Sequence, residues 1–419
     1  MPTVRALCDH ATTTPKEPSM TLPSFPFPTE AALAPPAEWA EFRAKCPVAK
    51  VTLASGDEAA LITRYADVKK VLSDPRFTRP TPADKAARVA DTESGGVFNS
   101  EMAGVIPQHG EAHLKWRRML GKWFTAKRMT ALRPRMEAMA VRLIDEMVAK
   151  GEPADLKAGL AFPLPVWVIC DMLGVPDTDR ERFAHWSDVM LSMTRYTQAE
   201  FDVAQTEFGR YLGGHIAAKR AEPGEDILSS LITDTDADGE HWSDALLVAT
   251  GIGLLIAGHE TTANMIAKMV AMLLEDRSRW EALLADRSLI RTAVEESLRM
   301  DANAGIGMSR FLTEDFEVGG TTLPPGTTAM CSMASANRDE DAFEGAAEMT
   351  LDRSPNAHLA FGAGAHVCLG QPLARTELQV VLGVLLEKLP TLELAVAAAD
   401  LRKVEGLAVG GLRELPVRW

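Results

Sequence analysis

The sequence predicts a mainly α fold with small peripheral β-sheets, built as a single large domain around a long central helix. Three observations predict it. Helical periodicity dominates, marking helices over 36–46, 65–73, 113–124, 126–150, 163–173, 179–193, 198–220, 227–234, 277–286, 289–300 and 371–388. The longest such run, 243–274, has the length and apolar content of a helix that crosses the centre of a molecule. Strand signals are short and scattered, at 51–52, 59–62, 316–318 and 328–332, with a last group near 392–395 and 412–418. No Ser/Gly-rich linker, charge block or repeat interrupts the 419 residues, so 29–419 read as one domain. Residues 1–28, with Pro15, Pro18, Pro23, Pro26 and Pro28, read as a flexible or extended leading segment.

A hydrophobic fraction of 46% with 24% charged residues is that of a chain able to bury a large core. The formal charge of −14 argues against general nucleic-acid binding. Five widely spaced cysteines without a CxxC pair exclude a multi-thiolate metal site, and read as a reduced, cytoplasmic protein. The apolar stretch 245–258 is too short for a membrane span and holds Thr250 and three glycines, so no membrane partner is expected.

One cysteine stands apart. Cys368 lies in Phe361-Gly362-Ala363-Gly364-Ala365-His366-Val367-Cys368-Leu369-Gly370, just before the 371–388 helix with its Pro372. Gly362 and Gly364 permit a turn that aims backbone N–H groups at the sulfur, and Gly370 leaves room for a flat ligand. A sulfur at a helix N-terminus is favoured as thiolate. With no second Cys or His ligand nearby, this arrangement points to the single axial ligand of heme iron. A buried apolar cysteine and a nucleophile are the competing readings.

Within the long helix, Ala257-Gly258-His259-Glu260-Thr261-Thr262 combines small residues, which let a bulky ligand approach, with a hydroxyl and a carboxylate. The hydroxyl can compete for the carbonyl one turn earlier and open a groove for water, and the carboxylate can then relay protons. Glu296 and Arg299 share one helical face at i and i+3. His113 and Arg117, one turn apart, can face one anion.

The run from Phe361 to Arg375 resembles the heme-binding signature of the cytochrome P-450 heme-thiolate monooxygenases, FGxGxHxCxGxxLAR, at every fixed position, and other landmarks follow in order from about Phe25 to the end. The resemblance implies the cytochrome P-450 fold of the soluble bacterial type and heme b (iron protoporphyrin IX), with Cys368 on the iron and Gly370 beside it. It implies that His113, Arg117, Arg310 and His366 hold the two propionates. Glu260 and Thr261 would deliver protons to oxygen. Glu296 and Arg299 would form the buried, structural ExxR pair. A third arginine often completes that pair in the family, but Glu348 stands at the aligned position, leaving Arg338 or Arg353 to serve.

The implied substrate pocket draws on Val97, Phe98, Met102, Val105 and Ile106 from the loop before His113, and on Gly253, Ile256 and Ala257 from the central helix. Asn303, Ala304 to Met308 (including Ile306) and Leu407 complete it. This lining suits an apolar natural product such as a terpenoid, steroid or polyketide. The expected reaction is hydroxylation or epoxidation with O2, with electrons from a ferredoxin or flavodoxin-type donor and its NAD(P)H-dependent reductase. A peroxygenase, an oxidative coupling enzyme and a heme-based sensor are the alternatives. Lys115, Arg118, Lys122, Lys127 and Arg128 form a basic cluster that an acidic donor would fit. A monomer is expected.

Overall fold

A computed structural model describes residues 22–81, 84–93, 101–235, 239–301 and 305–419. The central helix is Asp244–Glu275, 32 residues long, and the Ser243 hydroxyl caps it by accepting from the Leu246 N–H. It is long and apolar enough to cross a membrane by length and composition. Here it is wrapped instead by helices Pro163–Leu173, Gln198–Ala221 and Gln371–Lys388. Its second half, from Thr262 to Leu274, is buried on every side, which a helix can tolerate only when its neighbours are apolar too.

Gly258 shows why small residues recur in this helix. A Cβ there would lie 2.7 Å from Cγ1 of Ile169, so this glycine serves close packing of Pro163–Leu173 at least as much as access for a ligand. Gly253 is different, because its added Cβ would meet only Ile106 Cδ1, at 3.8 Å.

The helix Gln371–Lys388 packs against Ala126–Lys150 on one side and the central helix on the other. Its Glu377 is fully buried and neither carboxylate oxygen has a partner among the described residues. Burial therefore pushes its pKa well above the ordinary value.

The main sheet has five strands in the order Val48–Thr52, Glu58–Ile62, Thr328–Cys331, Met308–Leu312 and Phe77–Thr78. Met308–Leu312 was not anticipated from the sequence, because Arg310 interrupts its apolar pattern. The strand pairs antiparallel with Thr328–Cys331, setting Arg310 opposite Ala329, and Arg310 is buried. The turn into it requires glycine. Gly307 has φ +76°, and a Cβ there would sit 2.2 Å from the Cys331 carbonyl oxygen.

Phe25 and Phe27 are buried against each other and Phe42, and the Phe25 N–H donates to the Thr52 carbonyl. Among the described residues, Cys170, Cys331 and Cys368 are free.

Glu377 yields a pH-dependent expectation. Its raised folded-state pKa means that stability is fully present below the ordinary value of 4.5 and is lost as pH rises toward the folded value. Glu377→Gln removes that dependence. Denaturation midpoints measured upward from pH 5 should show the variant gaining on the parent, by up to about 1.4 kcal/mol per pH unit until the folded value is reached. A constant difference across the range would mean that Glu377 is ionised in the fold.

Candidate functional site

A cavity of about 520 Å³ lies between the central helix and the Cys368 loop. The loop is anchored by the Cys368 N–H donating to the Phe361 carbonyl at 2.8 Å. Gly364, at φ +71°, passes so close to the Tyr65–Ser73 helix that a Cβ would lie 2.4 Å from the Leu72 carbonyl oxygen. The Cys368 sulfur faces the cavity. Burial pushes its pKa up, while the N–H groups of Gly370 and Gln371 and the charges of Arg117 and Arg375 favour the thiolate. Gly370 caps the Gln371–Lys388 helix, and its added Cβ would come within 4.0 Å of that sulfur.

Arginine and histidine side chains gather at one edge. His113, Arg117, Arg310 and His366 all line the cavity, as does Arg79, which the sequence reading did not single out. The His113 and His366 rings stand 4.3 Å apart. Burial, with the arginines nearby, pushes His113 down to about 4 and His366 to about 2. Arg117 donates to the Val367 carbonyl at 2.7 Å, and Arg310 to the Ser309 carbonyl at 2.8 Å. The buried Nε of Arg79 and Nδ1 of His366 have no partner among the described residues. Among the described residues, no Asp or Glu lines the cavity to balance these charges. A thiolate-bound flat group with acidic substituents at one edge, which is heme b, fits this donor set.

On the opposite wall stand Gly253, Ile256, Ala257, Gly258, Thr261 and Thr262. The Thr261 hydroxyl donates to the Ala257 carbonyl at 2.8 Å, the ladder competition expected from the sequence. Glu260 does not line the cavity; one of its oxygens is buried without a partner, and Lys157 is its cationic neighbour. Met102, Ile106, Gly307, Met308, Ala408 and Val409 complete the apolar wall. Four expected positions fall just off it, Gly305 among them. Val105 points to solvent at 41% exposure, Ile306 is buried in the sheet core, and Leu407 is buried while the next two residues face the cavity. The register of a turn decides which of two adjacent residues faces inward, and sequence alone leaves that open. Val97, Phe98, Asn303 and Ala304 lie outside the described residues.

Behind the Cys368 loop, Glu296 and Arg299 are both fully buried and joined by a bidentate pair at 2.8 Å. Arg353 completes the network, its Nε 3.1 Å from both Glu296 oxygens, with Asn356 and the Thr350 N–H as further donors. Arg338 instead donates to the Met300 carbonyl. Glu348 takes part only through its backbone carbonyl, which accepts from Arg299. Sequence reasoning missed Glu295. It clamps Arg375 of the signature at 2.7 and 3.0 Å and His358 at 3.0 Å. Burial pushes Glu295 up, but these bonds outweigh it and hold it at about 2.

The network makes a quantitative expectation. Arg353→Ala removes a charge-assisted contact from a buried carboxylate and should cost about 1.5–3 kcal/mol by chemical denaturation. Arg338→Ala, which leaves Glu296 untouched, should not alter the environment of that carboxylate.

Comparison with known proteins agrees with this geometry. The cytochrome P-450 family model matches residues 215–394. Nocardicin C N-oxygenase of Nocardia uniformis subsp. tsuyamanensis is 41% identical over 397 residues, covering 94% of this chain and 98% of that protein. The mycinamicin IV hydroxylase/epoxidase of Micromonospora griseorubida is 39% identical over 399 residues, with 94% and 98% covered. The crystal structure of SgvP, a candidate thioether synthase in griseoviridin tailoring, superposes with a TM-score of 0.88 at 38% identity over 96% of this chain and all of that one. Signature, cavity and full-length relatives agree: the chain belongs to the cytochrome P-450 family of heme-thiolate monooxygenases.

Proposed function

We propose that this enzyme inserts one atom of O2 into a largely apolar natural product of terpenoid, steroid or polyketide size, by hydroxylation or epoxidation. The carrying observation is the cavity with Cys368 on one wall and the Thr261 groove of the central helix on the other. Heme b bound through Cys368 supplies oxygen activation, which thiolate ligation favours. The chain's own share is positioning, exclusion of water and proton handling. Met102, Ile106, Ile256 and Ala257 orient an apolar body. Thr261 holds a proton donor at the cavity wall, and Glu260, beside Lys157, stands behind it as the acid that replenishes it. The relatives named for nocardicin and mycinamicin chemistry support the substrate class. The likeness to SgvP favours oxidative coupling as a second reading. Product mass separates the two: a gain of one oxygen atom against a loss of two hydrogens.

Electrons would come from an acidic ferredoxin or flavodoxin-type protein docking on Lys115, Arg118, Lys122, Lys127 and Arg128. The helix Gly110–Gly121, which carries three of the five positions or their immediate flank, also carries Arg117 against Val367, so the patch lies one helix from the Cys368 loop. Arg118 and Lys122 pair with Glu111 and Asp234, but both pairs are solvent-exposed and exchange readily for a partner's carboxylates.

Three outcomes are expected. The reduced, carbon-monoxide-bound holoenzyme should show the red-shifted Soret band of thiolate ligation, and Cys368→His should lose it. Thr261→Ala should keep substrate affinity while product formed per NAD(P)H drops and peroxide rises; unchanged coupling would remove Thr261 from proton delivery. Reversing Arg118 and Lys122 to Glu should slow reduction by a ferredoxin and flatten its salt dependence, since the Debye length shrinks from about 10 Å at 0.1 M to about 3 Å at 1 M. Heme content should not change.

A further inference from the structure

We propose that Glu295 is a positioning residue for electron transfer at Cys368: by aiming and neutralising Arg375, it sets the reduction potential of the bound heme. The proposal rests on Cys368 as the iron ligand and is independent of the substrate reading.

Glu295 and Glu296 are neighbours on the helix Ile290–Met300 with separate duties. Glu296 turns toward Arg299 and Arg353. Glu295 turns toward Gln371–Lys388, the helix that starts just after Cys368. It has two arms. The first is a bidentate pair, with Arg375 Nε 2.7 Å from one carboxylate oxygen and Nη2 3.0 Å from the other. The held guanidinium lies over the Phe361 ring at 4.5 Å and donates to Gln371 Oε1 at 2.7 Å. The second arm accepts from His358 Nε2 at 3.0 Å. The Ala360 N–H donates to His358 Nδ1 at 3.2 Å, so Nδ1 is the acceptor, Nε2 carries the proton and the ring is neutral. Both arms therefore end on residues 360–361, and the Phe361 carbonyl accepts the Cys368 N–H.

Charge decides the sign of the effect. Arg375 is near enough for its charge to favour the Cys368 thiolate, as does the N–H of Gln371, whose side chain it grips. Glu295 stays ionised, since the bonds from His358 and Arg375 outweigh its burial. The pair is thus neutral as a unit, and both side chains are mostly withdrawn from screening water. Reduction moves one electron from the donor protein to the iron and adds a negative charge beside the sulfur. An unpaired cation there would favour that charge, and an unpaired anion would oppose it. Glu295 cancels the cation and so preserves the electron push that thiolate ligation contributes. Groups just outside the ligand shell tune a metal in this way. A salt bridge that only pinned the helix would behave differently, because the effect of breaking it would not change sign with the partner removed.

The test is a redox titration of purified, substrate-free holoenzyme at one fixed pH, alongside heme content and the Soret band of the carbon-monoxide complex. Glu295→Gln leaves Arg375 uncompensated and should favour reduction by about tenfold, about 59 mV upward for a one-electron couple. Arg375→Gln should shift the potential the other way. The double variant should return toward the parent, and so should Glu295→Asp, which keeps the charge. Shifts of one sign in both single variants, or no shift in either, overturn the proposal. If only one single variant keeps its heme, the sign of its shift decides. Loss of heme from both single variants and the double variant makes the pair a fold contact only, and overturns the proposal as well. Absence of the thiolate Soret band from the parent overturns the ligand assignment itself, and with it the proposal.

Discussion

A single sulfur held on the wall of an internal cavity is the constraint on which the rest of this structure depends. Cys368 must face an open space and still be surrounded by protein, because a thiolate in bulk water would be neither directed nor protected. The chain meets this by ending a tight glycine-framed turn at the start of the Gln371–Lys388 helix, so that backbone N–H groups favour the charged sulfur while burial opposes it. That helix is then fixed from two sides, by Ala126–Lys150 and by the central helix. Glu295 pins its first turn through Arg375, and Arg375 in turn covers the Phe361 ring at 4.5 Å. The position of the sulfur is thus set by contacts far outside its own loop.

Charge is distributed with the same logic. The buried Glu296 is surrounded by Arg299, Arg353, Asn356 and a backbone N–H, so its carboxylate is satisfied and the segment carrying Asn337, Ala346 and Glu348 is drawn onto Arg299. This network is self-contained. The cavity edge is the reverse: three arginines and two histidines with no acidic partner among the described lining residues. A protein that leaves cations unmatched inside itself is complementary to anions it receives from outside. The propionates of heme b are such anions.

The central helix reconciles two demands that compete for the same residues. Gly258 has Ile169 against it and serves packing, while Gly253 and Ala257 leave the wall open. Thr261 spends its hydroxyl on the Ala257 carbonyl, loosening the ladder where the wall faces the cavity. Glu260 sits behind that wall toward Lys157, so acid and hydroxyl occupy successive layers rather than a shared surface.

Much of this was legible in the order of the amino acids. The helices at 126–150, 163–173 and 371–388 have the ends that their capping residues and periodicity indicate, because those signals are local. The signature around Cys368 was legible for the same reason, since a turn, a helix start and a sulfur lie within ten residues. What the sequence could not carry were choices made between distant segments. Arg353, rather than Arg338, completes the Glu296 network because a turn far along the chain folds back on it. Ala408 and Val409, rather than Leu407, face the cavity because a loop's register is set by what it packs on. Arg79 joins the cavity edge only because strand Phe77–Thr78 pairs with Met308–Leu312, more than two hundred residues away in sequence. The sequence by itself determined the fold class, the helices and the sulfur ligand, all written in short-range pattern. The tertiary structure alone decided which charges meet, because contact between remote residues depends on packing that no local pattern encodes.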